Sequence, residues 1–230
     1  MHVPDGFLDA PTSAATAVVA ISALAVALPR ARAEQPDDRT APMAGLVATF
    51  VFAAQMINFP VGAGTSGHLL GGALAAVLVG PATAVLCLSV VLVVQALLFA
   101  DGGITALGTN VTLMALVGVL VGWAVFRLVR AVLPARPASV PVAAALGAFA
   151  SVPVAALVFT GLFALGGRVD VPVDSLAVAM VGWHSLIGLG EAVITGLVVS
   201  AVMAVRPDLV FGARDLRVAR PLEIRAGATR

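Results

Sequence analysis

Gly67-His68-Leu69-Leu70-Gly71-Gly72 opens an apolar run that reaches Val79; Gly80-Pro81 interrupts it, and a second run extends to Phe99. Read as one helix kinked at Pro81, residues 67–99 make a single membrane span and the chain has six. Read as two, they are the third and fourth helices of seven. The other apolar runs lie at 11–29, 41–59, 109–133, 140–165 and 176–205, separated by breaks rich in Pro, Arg, Asp and Gly. Arginine placement decides, because basic residues collect on the cytoplasmic side of a membrane protein. With seven helices and an external N-terminus, Arg30, Arg32, Arg39, Arg127, Arg130, Arg136, Arg206, Arg214, Arg217, Arg220, Arg225 and Arg230 fall inside, leaving only Arg168 of the 13 basic residues outside. Six helices would carry the Arg127 to Arg136 group and the C-terminal arginines outward. The chain is therefore expected to be an all-α integral membrane protein, a seven-helix transmembrane bundle with its N-terminus outside and its C-terminus cytoplasmic.

The third helix of that bundle is short. Residues 67–79 span roughly 20 Å at 1.5 Å per residue, against a hydrocarbon core of about 30 Å. The preceding Gly62-Ala63-Gly64-Thr65-Ser66-Gly67 is expected to cover the gap by dipping below the outer surface, with its backbone polar groups buried in protein. That places His68 at the mouth of a half-helix inside the bundle.

Composition agrees with the spans. Hydrophobic residues are 60% of the chain and charged residues 11%, with a mean hydropathy of +1.08, where a soluble domain carries about 25% charged residues. The net charge of +1 gives no sign of nucleic-acid binding. The single Cys87 has no internal disulfide partner and reads as a small hydrophobe in an apolar run. Residues 1–10 contain Asp5 and Asp9 but no basic residue, unlike the n-region of a secretory signal. The chain has no lysine, so the phosphate-binding G-x-x-x-x-G-K-[ST] loop is absent.

Met1-His2-Val3-Pro4-Asp5-Gly6 carries the chemistry. The α-amine of Met1, the amide nitrogen of His2 and the His2 imidazole can meet one metal, closing a five-membered and then a six-membered chelate ring. Three nitrogens then lie in one plane. A fourth, from another imidazole, completes a square that suits Ni(II), Cu(II) or low-spin Co(II). The topology above brings the unusual polar residues to one level: His68 after an outer loop, Asn58 at the end of the second helix, Asn110 at the start of the fifth and His184 in the outer half of the seventh. An imidazole within a membrane is costly without a partner. Asn58, Thr65, Ser66 and His184 are candidates for orienting the ligands. Glu191, seven residues beyond His184 on the same helical face, reads as a residue that holds the fold or supports the ligands from behind.

Met1-His2-Val3-Pro4-Asp5-Gly6-Phe7-Leu8, Gln55-Met56-Ile57-Asn58-Phe59-Pro60, Gly64-Thr65-Ser66-Gly67-His68-Leu69-Leu70-Gly71, and Asp101-Gly102-Gly103 with Gly108-Thr109-Asn110 together resemble the CbiM/NikM family. Its members are substrate-capture subunits of energy-coupling-factor importers for cobalt or nickel. The resemblance runs from Met1 to about Phe211, giving a metal-capture domain over 1–211 and a basic cytoplasmic tail over 212–230. It implies a seven-helix bundle with the N-terminus tucked in. It also implies a square of the Met1 amine, the His2 amide and imidazole, and the His68 imidazole, with Co(II) or Ni(II) as the transported substrate. Implied partners are a transmembrane scaffold subunit, two cytoplasmic ATPase subunits and a small accessory membrane subunit. The implied location is the plasma membrane, multi-pass.

Two other readings share some of these residues. Gly64-Thr65-Ser66-Gly67 fits the G-x-S-G pattern of rhomboid intramembrane proteases, with His184 available as the base that a serine nucleophile needs. A vitamin-binding capture subunit would share the helical architecture but not require the Met-His start.

Overall fold

Gly80, with φ +96°, turns the chain between two helices of unequal length, and the rest of the bundle is arranged around that pair. The computed structural model describes residues 1–34, 41–62 and 65–219. The elements are α1 (Ala10–Glu34), α2 (Ala41–Gln55), β1 (Phe59–Gly62), β2 (Thr65–Gly67), α3 (Gly72–Val79) and α4 (Pro81–Leu98). They continue with α5 (Leu107–Val132), α6 (Ser139–Gly166) and α7 (Val173–Val205), then short 3-10 turns at Pro207–Leu209 and Phe211–Ala219. Among the described residues, α1, α4, α5, α6 and α7 are long and apolar enough to cross a membrane. Helix α2 contributes a shorter apolar stretch, Pro42–Gln55.

Helix α3 is the core of the bundle. All eight of its residues are buried, as suits a segment made only of Gly, Ala, Leu and Val. Glycines permit the close approach. A Cβ on Gly72 would lie 2.8 Å from the Gly118 carbonyl carbon, and one on Gly122 would lie 2.6 Å from the Ala73 Cβ. Close backbone approach of this kind is how helices associate in lipid, where no hydrophobic force separates protein from solvent.

The start of α4 is capped by α1. The Glu34 carboxylate accepts from Ala82 N at 3.0 Å, Thr83 N at 2.7 Å and Thr83 Oγ1 at 2.9 Å, satisfying first-turn amides while its negative charge faces the positive end of the helix. Pro81 at the first position has no N–H to satisfy. A Cβ on Gly80 would stand 2.6 Å from that carboxyl group.

Three boundaries depart from the expected runs. Helix α2 stops at Gln55 instead of near residue 59, leaving Asn58 in the loop beyond it. The glycine-rich approach to His68 is an antiparallel hairpin, Phe59 opposite Gly67 and Pro60 opposite Ser66, where the sequence suggested only a loop. Helix α3 begins at Gly72, not residue 67, so the unwound run before the half-helix is longer than expected. Ala63, Gly64, Arg39 and the tail from Arg220 onward lie outside the described residues.

Two short stretches outside the helices mark opposite ends of the described residues. Residues 1–9 precede α1 and are tied to the loop 101–110 and to the α6–α7 connection. The 3-10 turn at 211–219 meets Glu34, Trp123 and Arg130 at the opposite end.

Candidate functional site

The first nine residues are fixed almost residue by residue. Val3 N donates to Asn110 Oδ1 at 2.8 Å, and its carbonyl accepts from Asn110 Nδ2 at 3.1 Å and from Gly103 N at 2.9 Å. One carboxamide thus pairs with both polar groups of one backbone residue, as a neighbouring strand would. Asp5 accepts from the Thr105 amide at 2.7 Å and from the Thr105 hydroxyl, which holds its carboxyl below the ordinary range. Gly6, at φ +75°, closes a turn in which Phe7 N donates to the Pro4 carbonyl at 3.4 Å. Phe7 then packs on Phe159 and Phe163 at ring distances of 5.8 and 5.3 Å. Arg168 N donates to the Phe7 carbonyl at 3.0 Å, and Asp9 N to the Gly166 carbonyl at 2.7 Å. Asp9 Oδ1 accepts from Thr12 N at 2.8 Å, an N-cap that starts α1.

The close fit explains the glycines at 102 and 103. A Cβ on Gly103 would lie 2.4 Å from Asp5 N; one on Gly102 would lie 2.9 Å from Asn110 Nδ2 and 3.1 Å from His2 Nδ1. Asn110 stands at the entry to a π-helical stretch, Val111–Val117, inside α5. Such widened turns concentrate at functional sites.

This clamp buries the chain end. Met1 is 1% exposed and His2 6%. Burial lowers the Met1 amine from 8.0 to about 4. Burial, and then the neighbouring amine, lowers His2 from 6.5 to about 3. Both nitrogens are therefore neutral at physiological pH, with lone pairs unprotonated.

His68 comes in from the hairpin side. Its ring centroid is 4.5 Å from that of His2, with the planes tilted by 32°. His68 Nδ1 donates to the Leu69 carbonyl at 2.8 Å, which leaves the buried Nε2 with no partner. His184 repeats the arrangement on α7: Nδ1 bonds the Met180 carbonyl at 2.7 Å and the buried Nε2 has no partner. Neither ring nitrogen of His2 has a hydrogen-bond partner. Asp101 Oδ2 stands 3.5 Å from His2 Nε2 without forming an aligned hydrogen bond, and accepts from Asn58 Nδ2 at 3.3 Å. Unpaired buried nitrogens on this scale are exceptional in a protein interior, and their lone pairs are what a metal ion uses.

The run carrying His68 is anchored from below. Glu191 on α7 accepts from Leu70 N at 2.7 Å and Gly71 N at 2.9 Å, and Gln55 Nε2 donates to the Leu70 carbonyl at 2.8 Å. Glu191 thus caps the approach to α3, the first of the two roles the sequence left open. Among the described residues no three His, Cys, Asp or Glu side chains cluster as a metal site. A metal bound here would have to draw on backbone nitrogens as well as imidazoles.

Of the residues expected from sequence, Met1, His2 and His68 come together, His184 is buried with a free nitrogen, and Asn58 reaches the group through Asp101. Ser66 faces Pro60 across the hairpin; no hydrogen bond joins it to His184, whose Nε2 is unpartnered. Thr65 lies in β2 and its side chain is outside the described residues. Asn110, Asp101, Gly102 and Gly103 build the site without having been assigned a part in it. Their signal was the pair of short motifs at 101–103 and 108–110.

Fold and site define a multi-pass membrane protein that buries its own amino terminus among histidines. Residues 2–209 match the family described as CbiM, Cobalt uptake substrate-specific transmembrane region, and the chain belongs to that family. It is 39% identical over 211 residues to a putative metal transport protein of Haloquadratum walsbyi, covering 92% of this chain and 94% of the relative. It is 36% identical over 227 residues to the cobalt transport protein CbiM of Sorangium cellulosum, covering 95% and 98%. A putative fused nickel transport protein NikMN of Archaeoglobus fulgidus is 40% identical over 217 residues, covering 91% of this chain and 68% of that one. A solved structure of a transition metal transporter superposes with a TM-score of 0.83 at 30% identity, covering 96% of this chain and all of the other.

Proposed function

We propose that this chain is the metal-capture subunit of an energy-coupling-factor importer for Co(II) or Ni(II), held by the Met1 amine, the His2 amide and imidazole, and the His68 imidazole. The observation that carries the reading is the burial of a neutral amine and the His2 imidazole with the His68 ring 4.5 Å from that of His2. A six-membered chelate ring from the His2 amide uses Nδ1, which points the remaining Nε2 toward Asp101. A carboxylate behind a ligating histidine is the common means of fixing its tautomer and orientation. His68 presents Nε2 because Nδ1 is occupied by the Leu69 carbonyl. His184, buried with an unpartnered Nε2, is assigned the role of orienting the ligand set.

Capture releases protons, because the amide must bind deprotonated and the other nitrogens neutral. The amine and imidazole are already neutral when buried, so the amide supplies the proton that has to be removed. In this proposal the capture side is external, and a membrane scaffold, two ATPase subunits and a small accessory membrane subunit complete the importer in the plasma membrane. The phosphate-loop motif missing from this chain is the reason for assigning hydrolysis to partners.

The test is the metal content of protein purified after growth with cobalt or nickel. His2→Ala is expected to lose the metal and Ser66→Ala to retain it. The reverse sensitivity would support the serine-protease reading and reject this one.

A further inference from the structure

At the end of the bundle away from the histidines, a cavity of about 350 Å³ opens between the last turns of α5 and the 3-10 turn at 211–219. Three arginines line it, Arg127, Arg130 and Arg214, against one carboxylate, Asp215, with Trp123 and Phe211 as aromatic walls. Arg130 is the unusual member. Its side chain is 8% exposed, its Nη2 donates to Asp215 Oδ2 at 2.7 Å, and its buried Nη1 has no hydrogen-bond partner. An arginine presents a rigid fork of donors suited to a carboxylate or phosphate; here half of the fork is unused on a residue that lines the cavity. Arg214 stacks on Phe211 at 4.2 Å and donates Nη2 to the Glu34 carbonyl at 2.6 Å, so its guanidinium is held at the wall. Arg127 lies 6.0 Å from the centre of the Trp123 ring.

We propose that this cavity binds the phosphate of an anionic membrane lipid, with the Arg130 fork and the Arg127 and Arg214 guanidinium groups around its oxygens. The chemistry recognised is a phosphate oxyanion. The lipid is favoured as its source because the cavity lies on a spanning helix beside exposed apolar side chains, Leu128 at 67% and Val132 at 77%. Acyl chains can follow those residues while the headgroup stays at the level of the tryptophan. Basic pockets between helices at the membrane surface select anionic headgroups, and each arginine there adds about 1 kcal/mol. The assignment does not depend on the metal reading or on which face of the membrane this end occupies.

The test uses the full chain in nanodiscs of phosphatidylcholine, with or without a minority of phosphatidylglycerol. The readouts are the phosphatidylglycerol retained on delipidation, by native mass spectrometry, and Tm. The wild type should retain phosphatidylglycerol and gain Tm from it. Arg127→Ala, an exposed position that the fold does not need, should reduce retention about fivefold, and Arg127→Ala with Arg214→Ala should reduce it further. Arg168→Ala, at the opposite end, should change nothing. Equal retention by wild type and both arginine variants overturns the proposal. So does an equal gain in Tm from inorganic phosphate alone, which would make the ligand a free oxyanion. A gain in Tm from phosphatidylcholine alone as large as from phosphatidylglycerol overturns it too.

Discussion

The two ends of this bundle each fasten an outlying stretch to the helices, residues 1–9 at one and 211–219 at the other, and they do it with different chemistry. At the amino end the groups buried at the site are neutral, with the exposed Asp5 carboxylate pairing Thr105 outside it. A carboxamide, backbone amides and phenylalanines hold residues 1–9, and the charges that a chain terminus and a histidine would carry in water are suppressed by burial. At the other end the charges are kept: Arg130 pairs with Asp215, and Arg214 with the Glu34 carbonyl and the Phe211 ring. The difference separates an end whose buried imidazole nitrogens are left without hydrogen-bond partners from one whose arginines keep ionic and aromatic partners. It also ranks the consequences of breaking each contact.

The largest effect is expected from Glu191→Ala. The change leaves the amides of Leu70 and Gly71 without acceptors in a buried region, at a cost of about 3–5 kcal/mol for two such groups. Tm in detergent should fall sharply, and metal retention with it, because His68 lies on the same unwound run. Retained Tm with lost metal would move Glu191 from the scaffold to the ligand set. Asn110→Ala comes next. It removes both hydrogen bonds of the carboxamide to Val3, worth about 2–3 kcal/mol in this buried setting. The loss should appear as faster hydrogen exchange confined to residues 1–9, with the helices unaffected.

Acid should undock the amino end in the absence of metal. The free segment takes up protons below 8.0 on the amine and below 6.5 on the imidazole, whereas the docked groups stay neutral to about 4 and about 3. Because the undocked form binds more protons, docking weakens as pH falls: about tenfold per unit while one group titrates and about a hundredfold per unit while both do. The same exchange measurement on residues 1–9, corrected for intrinsic rates from pH 8 to 5, checks the sign; a flat profile would mean that the termini are not buried as neutral groups. Asp215→Asn should do least. Its carboxylate is 62% exposed and asparagine keeps an oxygen to accept from Arg130, so the change should cost about 1 kcal/mol or less and move Tm by only a few degrees.

Much of this arrangement is legible in the chain. Gly80-Pro81 divides the third and fourth helices because one residue adopts a positive φ and the next lacks an amide. The short third helix follows, and so does an unwound approach carrying His68. What local pattern does not reveal is the long-range pairing. Asn110 grips Val3 from 107 residues away and Glu191 reaches Leu70 across 121. Nothing in helical periodicity distinguishes a carboxamide that mimics a strand from one that faces lipid. The hairpin at 59–67 is equally hidden, since Pro60 and several glycines argue against a strand and only the need to pair backbone groups inside the bundle makes one.

The central claim concerns the Met1 amine. The most direct measurement is metal content with an absorption spectrum of nickel- or cobalt-loaded protein, comparing the native N-terminus with a form carrying one extra leading residue. The account predicts planar four-nitrogen coordination in the native form and loss of bound metal in the extended one. Equal metal content and an unchanged spectrum in the extended form would contradict it.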